Sequence, residues 1–169
     1  HGMWVEPGQP IIIEGIHGLN DKLTEGIDRS AKFKIYISAL TMLNLDDHNR
    51  IPSSYLRLLR RTVRDFEGRG SSVEQTMGMW ESVQRGEKRW IFPFQEEADV
   101  MINTAMLFEF GVLREQALPV LEEVPETAPE YSEAIRLRKF LSYLNPISIQ
   151  ALPPTSLLRE FLGGSTFRY

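Results

Sequence analysis

The chain is 169 residues long, 42% apolar, and carries a formal net charge of −4, which is material enough for one hydrophobic core and short for two. That negative balance gives no general electrostatic footprint for nucleic acid or an anionic membrane, although a local basic patch can still exist. Cysteine is absent, which rules out disulfides, thiolate zinc sites and cysteine nucleophiles. No apolar run approaches the roughly 20 residues of a membrane span, and no signal-peptide pattern opens the sequence, so a cytoplasmic protein is expected.

In chain order, His1-Gly2-Met3 reads as a tag remnant or as the interior of a longer chain. The second reading is preferred, because the next element already looks like a buried strand. That element is Ile11–Gly15, three consecutive isoleucines ending on Glu14. A continuous apolar run of this kind predicts a strand covered on both faces, with its acid at the carboxyl end. Over Phe33–Ala39, residues Phe33, Ile35, Ile37 and Ala39 alternate with Lys34, Tyr36 and Ser38, the period of a strand. Asp46-Asp47-His48 is read as a turn whose side chains bond their own backbone in preference to a metal site. Ala98–Asn103 is a third short apolar strand.

Helical patterns lie between and after these segments. Pro52-Ser53-Ser54 precedes a helix from about Tyr55 to Gly68, and Ser71 with Glu74 forms a capping box for another toward Arg85. Further helices are expected over Ala105–Leu118, after Thr127 and Glu130 toward Asn145-Pro146, and from Pro153-Pro154 to Gly163-Gly164. The Glu- and Pro-rich stretch Leu118–Pro129 reads as an exposed linker. Strand alternating with helix argues for an α/β fold, a parallel sheet covered by helices.

The segment "SYLRLLRRTVRDFEGRG" carries the most chemistry. On a helix, Arg57, Arg60, Arg61 and Arg64 share one side while Leu56, Leu59, Val63 and Phe66 share another. Like charges three and four apart cost an isolated helix about 0.2–0.5 kcal/mol per pair, and acidic relief comes only late, at Asp65 and Glu67. The planar guanidinium fork suits bidentate contact with phosphate oxygens; a solvated basic face is the plainer alternative. Next, "GRGSSVEQ" brings a glycine-flanked Arg69 and then a second helix, a pair suited to closing over a ligand. "EKRWIFPF" interleaves basic and aromatic residues, but aromatics leading into a strand point to core, so binding of nucleic acid is not expected. The stripe Met77, Met79, Trp80 and Val83 likewise reads as a packing face.

Taken together, "IIIEGIHGLN", "FKIYIS", "RLLRRTVRDFEGRG" with "VEQ", and "PFQEEADVMIN" resemble the second half of uridine kinase and its phosphoribulokinase relatives, P-loop kinases, over roughly Pro10 to Asn103. The remainder, with "LREFLGGSTF", resembles the bacterial uridine-kinase-related subgroup, whose chains join this region to a part similar to threonyl-tRNA synthetase. The resemblance implies one domain over 1–169, a partial P-loop kinase fold with an arginine-rich lid at about 52–94 and a helical extension at about 105–169. It implies ATP-dependent phosphoryl transfer to a nucleoside, uridine or cytidine, with ATP and Mg²⁺ as cofactors. Glu14 would help hold the metal. Arg57, Arg60, Arg64 and Arg69 would contact the phosphates, Arg60 and Arg64 acting in catalysis. Arg57, Arg69, Gln75 and His17 would reach the nucleoside. There is no G-x-x-x-x-G-K-[ST]; Gly163-Gly164-Ser165-Thr166 lacks the spacing and the lysine. These residues alone are therefore expected to be inactive, and the alternative is a non-catalytic nucleotide- or RNA-binding regulatory module beside the synthetase-like region. A third option is a pure dimerisation domain, and a homo-oligomer is left open.

Overall fold

The computed structural model describes residues 4–168, so His1-Gly2-Met3 lies outside the described residues. The chain divides into two compact units, one of residues up to Tyr36 with Val83–Ile102, the other of Ile37–Ser82 with the residues from Asn103 onward.

Two strands, β1 (Ile35–Ser38) and β2 (Val100–Asn103), form the sheet, and the division between the units falls within both. Asp99 N and Val100 N donate to Lys34 O at 2.9 and 3.3 Å, and Thr104 N donates to Ser38 O at 2.9 Å. Both partners advance together along the chain, so the pair is parallel. Its facing is unexpected: Lys34 and Tyr36 are buried, while Phe33, Ile35 and Ile37 are exposed and β2 is exposed throughout. Lys34 tolerates burial because its ammonium meets Asp21 at 2.8 Å and Glu97 at 3.2 Å, with Leu19 O at 3.2 Å. Burial pulls its pKa down, but those two carboxylates outweigh it and hold the group above its ordinary value.

The expected strand Ile11–Gly15 is not one. Its residues pair with no strand, and Ile11, Ile12 and Ile13 are exposed. A parallel strand exists through the hydrogen bonds it exchanges with a neighbour, and among the described residues no third strand joins the sheet. The segment ends at Gly15, whose φ of +141° excludes most side chains, and Gly18 N closes the turn onto Gly15 O at 3.0 Å. "RWIFPF" does not lead directly into β2 either, since a 3-10 turn over Phe92–Glu97 intervenes.

Six helices follow. Helix α1 (Ser53–Arg69) buries Leu56, Leu59 and Val63 completely and stops at Gly70, whose positive φ lets its N–H and that of Ser71 return to Asp65 O. Because Ser71 completes that cap, the capping box of α2 (Val73–Gly78) falls one residue later than expected, on Ser72 and Gln75. The helix expected to continue toward Arg85 breaks at Met79, and α3 (Trp80–Trp90) begins anew. Met77 is buried, but Met79 is 47% exposed, so the expected packing stripe is only partly used.

Helix α4 (Glu109–Glu122) starts four residues later than expected and runs through Pro119. An internal proline costs about 3 kcal/mol or more; burial of Val120, Leu121 and Val124 offsets that here, which also moves the start of the expected linker inward. Helix α5 (Tyr131–Ser142) begins after Glu130 without the expected Thr127 cap and buries Ala134, Leu137, Phe140 and Leu141. Helix α6 (Arg159–Leu162) ends at Gly163, φ +77°, where the glycine pair predicted a stop. Within the second unit α1 packs on α2, α4 and α6, and α4 packs on α5, around a main core, while Val112, Leu152, Leu158 and Phe161 form a second, smaller cluster.

Candidate functional site

The arginines of α1 do not form one uniform face. At about 100° per residue, Arg60 sits at the edge of the arc that Arg57, Arg61 and Arg64 define, and it turns inward. Its guanidinium meets the fully buried Glu109 carboxylate through Nε and Nη2, the latter at 2.7 Å. Nη2 also donates to Thr104 O at 2.7 Å, Nη1 donates to Thr104 Oγ1 at 3.2 Å, and the Phe161 ring lies 5.1 Å from the guanidinium carbon. This corrects the expectation for Arg60. Its fork is engaged inside the protein, where it fastens α1 to the start of α4 and to α6, and offers no bidentate edge to a phosphate. Glu109 also accepts from Met106 N at 3.1 Å, which fixes where α4 begins.

Arg61, Arg64 and Arg69 converge instead on Asp65, whose side chain is 3% exposed. Arg61 Nε lies 3.3 Å from Oδ2, Arg64 Nε 3.4 Å from Oδ1, and Arg69 Nη1 3.2 Å from Oδ1. Three cations on one buried carboxylate leave a local balance of about +2 by simple Coulomb counting. Arg61 Nε is close to Asp65 yet off the line of a hydrogen bond, so it is a buried donor without a hydrogen-bond acceptor. Among the described residues the terminal nitrogens of Arg61 and Arg64 make no hydrogen bond or ion pair. The repulsion expected along α1 is thus relieved in part by Asp65, with donor capacity remaining. Arg57 stands apart from this cluster, half-buried and 5.7 Å from the Trp80 ring centroid.

Gln75 is exposed, and its Oε1 accepts from Ser72 N at 3.2 Å, so one end of its amide serves as a cap. Glu14 and His17 belong to the other unit. His17 is exposed and packs edge-on to Trp90, centroids 5.0 Å apart. Glu14 is exposed and has no polar partner among the described residues. No three His, Cys, Asp or Glu side chains converge among the described residues. A single free carboxylate nevertheless fits Mg²⁺, which is commonly held by one or two acids with water and substrate phosphates completing the octahedron. The Asp46 loop is the turn the sequence implied: Oδ1 accepts from His48 N and Asn49 N, both at 2.8 Å.

Reading the sequence missed Glu109, Thr104 and Phe161. Glu109 did leave a signal, since an acid flanked by Phe108 and Phe110 within an apolar run is a charge that needs a partner if buried.

The profile described as "PRK: Phosphoribulokinase / Uridine kinase family" matches residues 3–107. No curated protein and no solved structure matches the chain. The match holds both strands and α1 to α3 and stops two residues short of Glu109, so the carboxylate that binds Arg60 lies beyond it. The chain belongs to the phosphoribulokinase / uridine kinase family. A mixed α/β chain with a small parallel sheet is consistent with part of a P-loop kinase fold. No helix among the described residues is long and apolar enough to cross a membrane.

Proposed function

From that membership we propose that the chain serves ATP-dependent, Mg²⁺-assisted phosphoryl transfer to a nucleoside, uridine or cytidine, in the cytoplasm. The supporting observation is the cluster of Arg61, Arg64 and Arg69 on α1, inside the matched region, with the terminal nitrogens of Arg61 and Arg64 unused among the described residues. Transfer of a γ-phosphoryl group needs positioning and positive charge at the equatorial oxygens more than covalent chemistry. Guanidinium forks supply both. Arg64 and Arg69, with Arg61, are the residues this reading places against the phosphates, and Arg57 is a further candidate near the acceptor. Glu14 would contribute one oxygen to Mg²⁺, which when bound neutralises the phosphate oxygens. His17 and the free end of the Gln75 amide are candidates for nucleoside contact.

The sequence carries no phosphate-cradling G-x-x-x-x-G-K-[ST], so binding is the sharper measurement than turnover. Calorimetric titration of the chain with MgATP is expected to give saturable binding that falls about tenfold or more in Arg64→Ala, the loss of one charge-assisted contact. Binding that is unchanged in both Arg64→Ala and Arg61→Ala would remove the reading.

A further inference from the structure

We infer that Asp65 is a positioning residue, which presets Arg61, Arg64 and Arg69 as one group of donors for a phosphorylated ligand; the inference rests on the function proposed above. Asp65 is the only acid of α1 that is buried, at 2% exposure, and it sits among the arginines in place of pairing outward. Two of its three partners approach through Nε, the inner edge of the guanidinium, and their terminal nitrogens are not used within the described residues. The contacts themselves are loose, at 3.2 to 3.4 Å, and Arg61 Nε is not hydrogen-bonded at all. A carboxylate kept for stability alone would be expected to take shorter, aligned bonds, as Glu109 does with Arg60. Long, flexible side chains lose rotamer freedom on binding a ligand. A shared carboxylate that already restricts three of them lowers that cost before the ligand arrives.

The same residue makes an opposing electrostatic contribution. As an anion beside the proposed phosphate site it repels the ligand, so removal of its charge should tighten binding if charge were all that mattered. The two effects predict opposite signs, and this makes the assignment testable. In Asp65→Asn, which keeps the shape and loses the charge, affinity for MgATP and for inorganic tripolyphosphate is expected to fall about tenfold, the scale seen when a group that orients a binding residue is removed. The dependence of affinity on salt concentration should become shallower although net positive charge has risen. Equal or tighter binding by folded Asp65→Asn would overturn the inference and leave the functional reading intact; absence of binding by the unsubstituted chain would overturn both. Should Asp65→Asn fail to fold, Asp65→Glu keeps the charge and shifts it by one methylene. A several-fold loss of affinity with the melting temperature maintained supports positioning, and unchanged affinity overturns it.

Discussion

Leu59 on α1 and Ile12 before Gly15 are nearly the same in size and hydrophobicity, yet Leu59 is fully buried and Ile12 is 87% exposed. The contrast extends to their surroundings. In the second unit Leu56, Val63, Leu113 and Leu137 are all at 0% exposure, whereas Phe33 and Ile35, in the first unit, are exposed at 71% and 44%. A helix satisfies its own backbone and needs only a neighbour for its apolar stripe; a strand needs a hydrogen-bonding edge as well as a covering layer. Among the described residues the helices cover their apolar stripes, whereas the two strands leave much of theirs exposed.

Breaking the helical side of this comparison should have the largest effect at Glu109. Glu109→Ala leaves Arg60 buried without its counter-charge, a loss of about 3–5 kcal/mol, to be measured by urea denaturation. The double variant Arg60→Met with Glu109→Leu should recover most of that loss, because a well-packed apolar pair can replace a buried ion pair. A single-variant loss below about 1 kcal/mol would place the pair with surface salt bridges and contradict its burial.

Two glycines give an intermediate test. A Cβ on Gly111 in α4 would lie 2.8 Å from Asn145 O and 3.0 Å from Ile147 Cδ1, so Gly111→Ala is expected to destabilise by about 1–3 kcal/mol despite better helix propensity. Gly86 in α3 has nothing within 4 Å of the same position, and Gly86→Ala should stabilise by about 0.4–1 kcal/mol. Thermal unfolding of the two variants checks the difference in sign, which marks how tightly each helix is packed.

Much of this was legible from residue spacing. The apolar positions of α1 and the end of α6 at Gly163 follow from local chemistry that the sequence displays, whereas α1 runs past the expected Gly68 to Arg69 and takes its cap from Gly70. The capping box slipped by one residue because Ser71 was already engaged by the preceding cap, a competition between two local motifs that neither shows alone. The inward turn of Arg60 could not be read from periodicity, since its partners Glu109, Thr104 and Phe161 are 44 to 101 positions away in the numbering of the chain. Three isoleucines in a row carry the propensity of a strand, but propensity records how well a residue fits a sheet when a neighbouring strand is supplied.

The polar contacts beside β1 yield the smallest expected effect and probe the strand side. Asp99 Oδ2 accepts from Lys34 N at 2.7 Å and Oδ1 pairs with Arg29, and these two contacts hold its carboxyl below the usual value of 3.8. Asp21, bonded to Lys34 and Lys32, is lowered likewise. A carboxylate with a depressed folded-state pKa adds stability above its unfolded pKa and loses it as pH falls through the folded value. Hydrogen-exchange protection at β1, taken relative to the intrinsic rate at each pH, should therefore fall below about pH 4, while that of α1 and α4 changes less. Lys34 has the opposite sign: its raised pKa adds stability below the ordinary 10.5, lost as pH rises beyond it. Asp99→Asn should remove part of the acid response at β1 and leave the alkaline one, because Asp21 and Glu97 still hold the ammonium. An acid response at β1 that is identical in this variant would remove Asp99 from the account and leave Asp21 as the carboxylate that carries it.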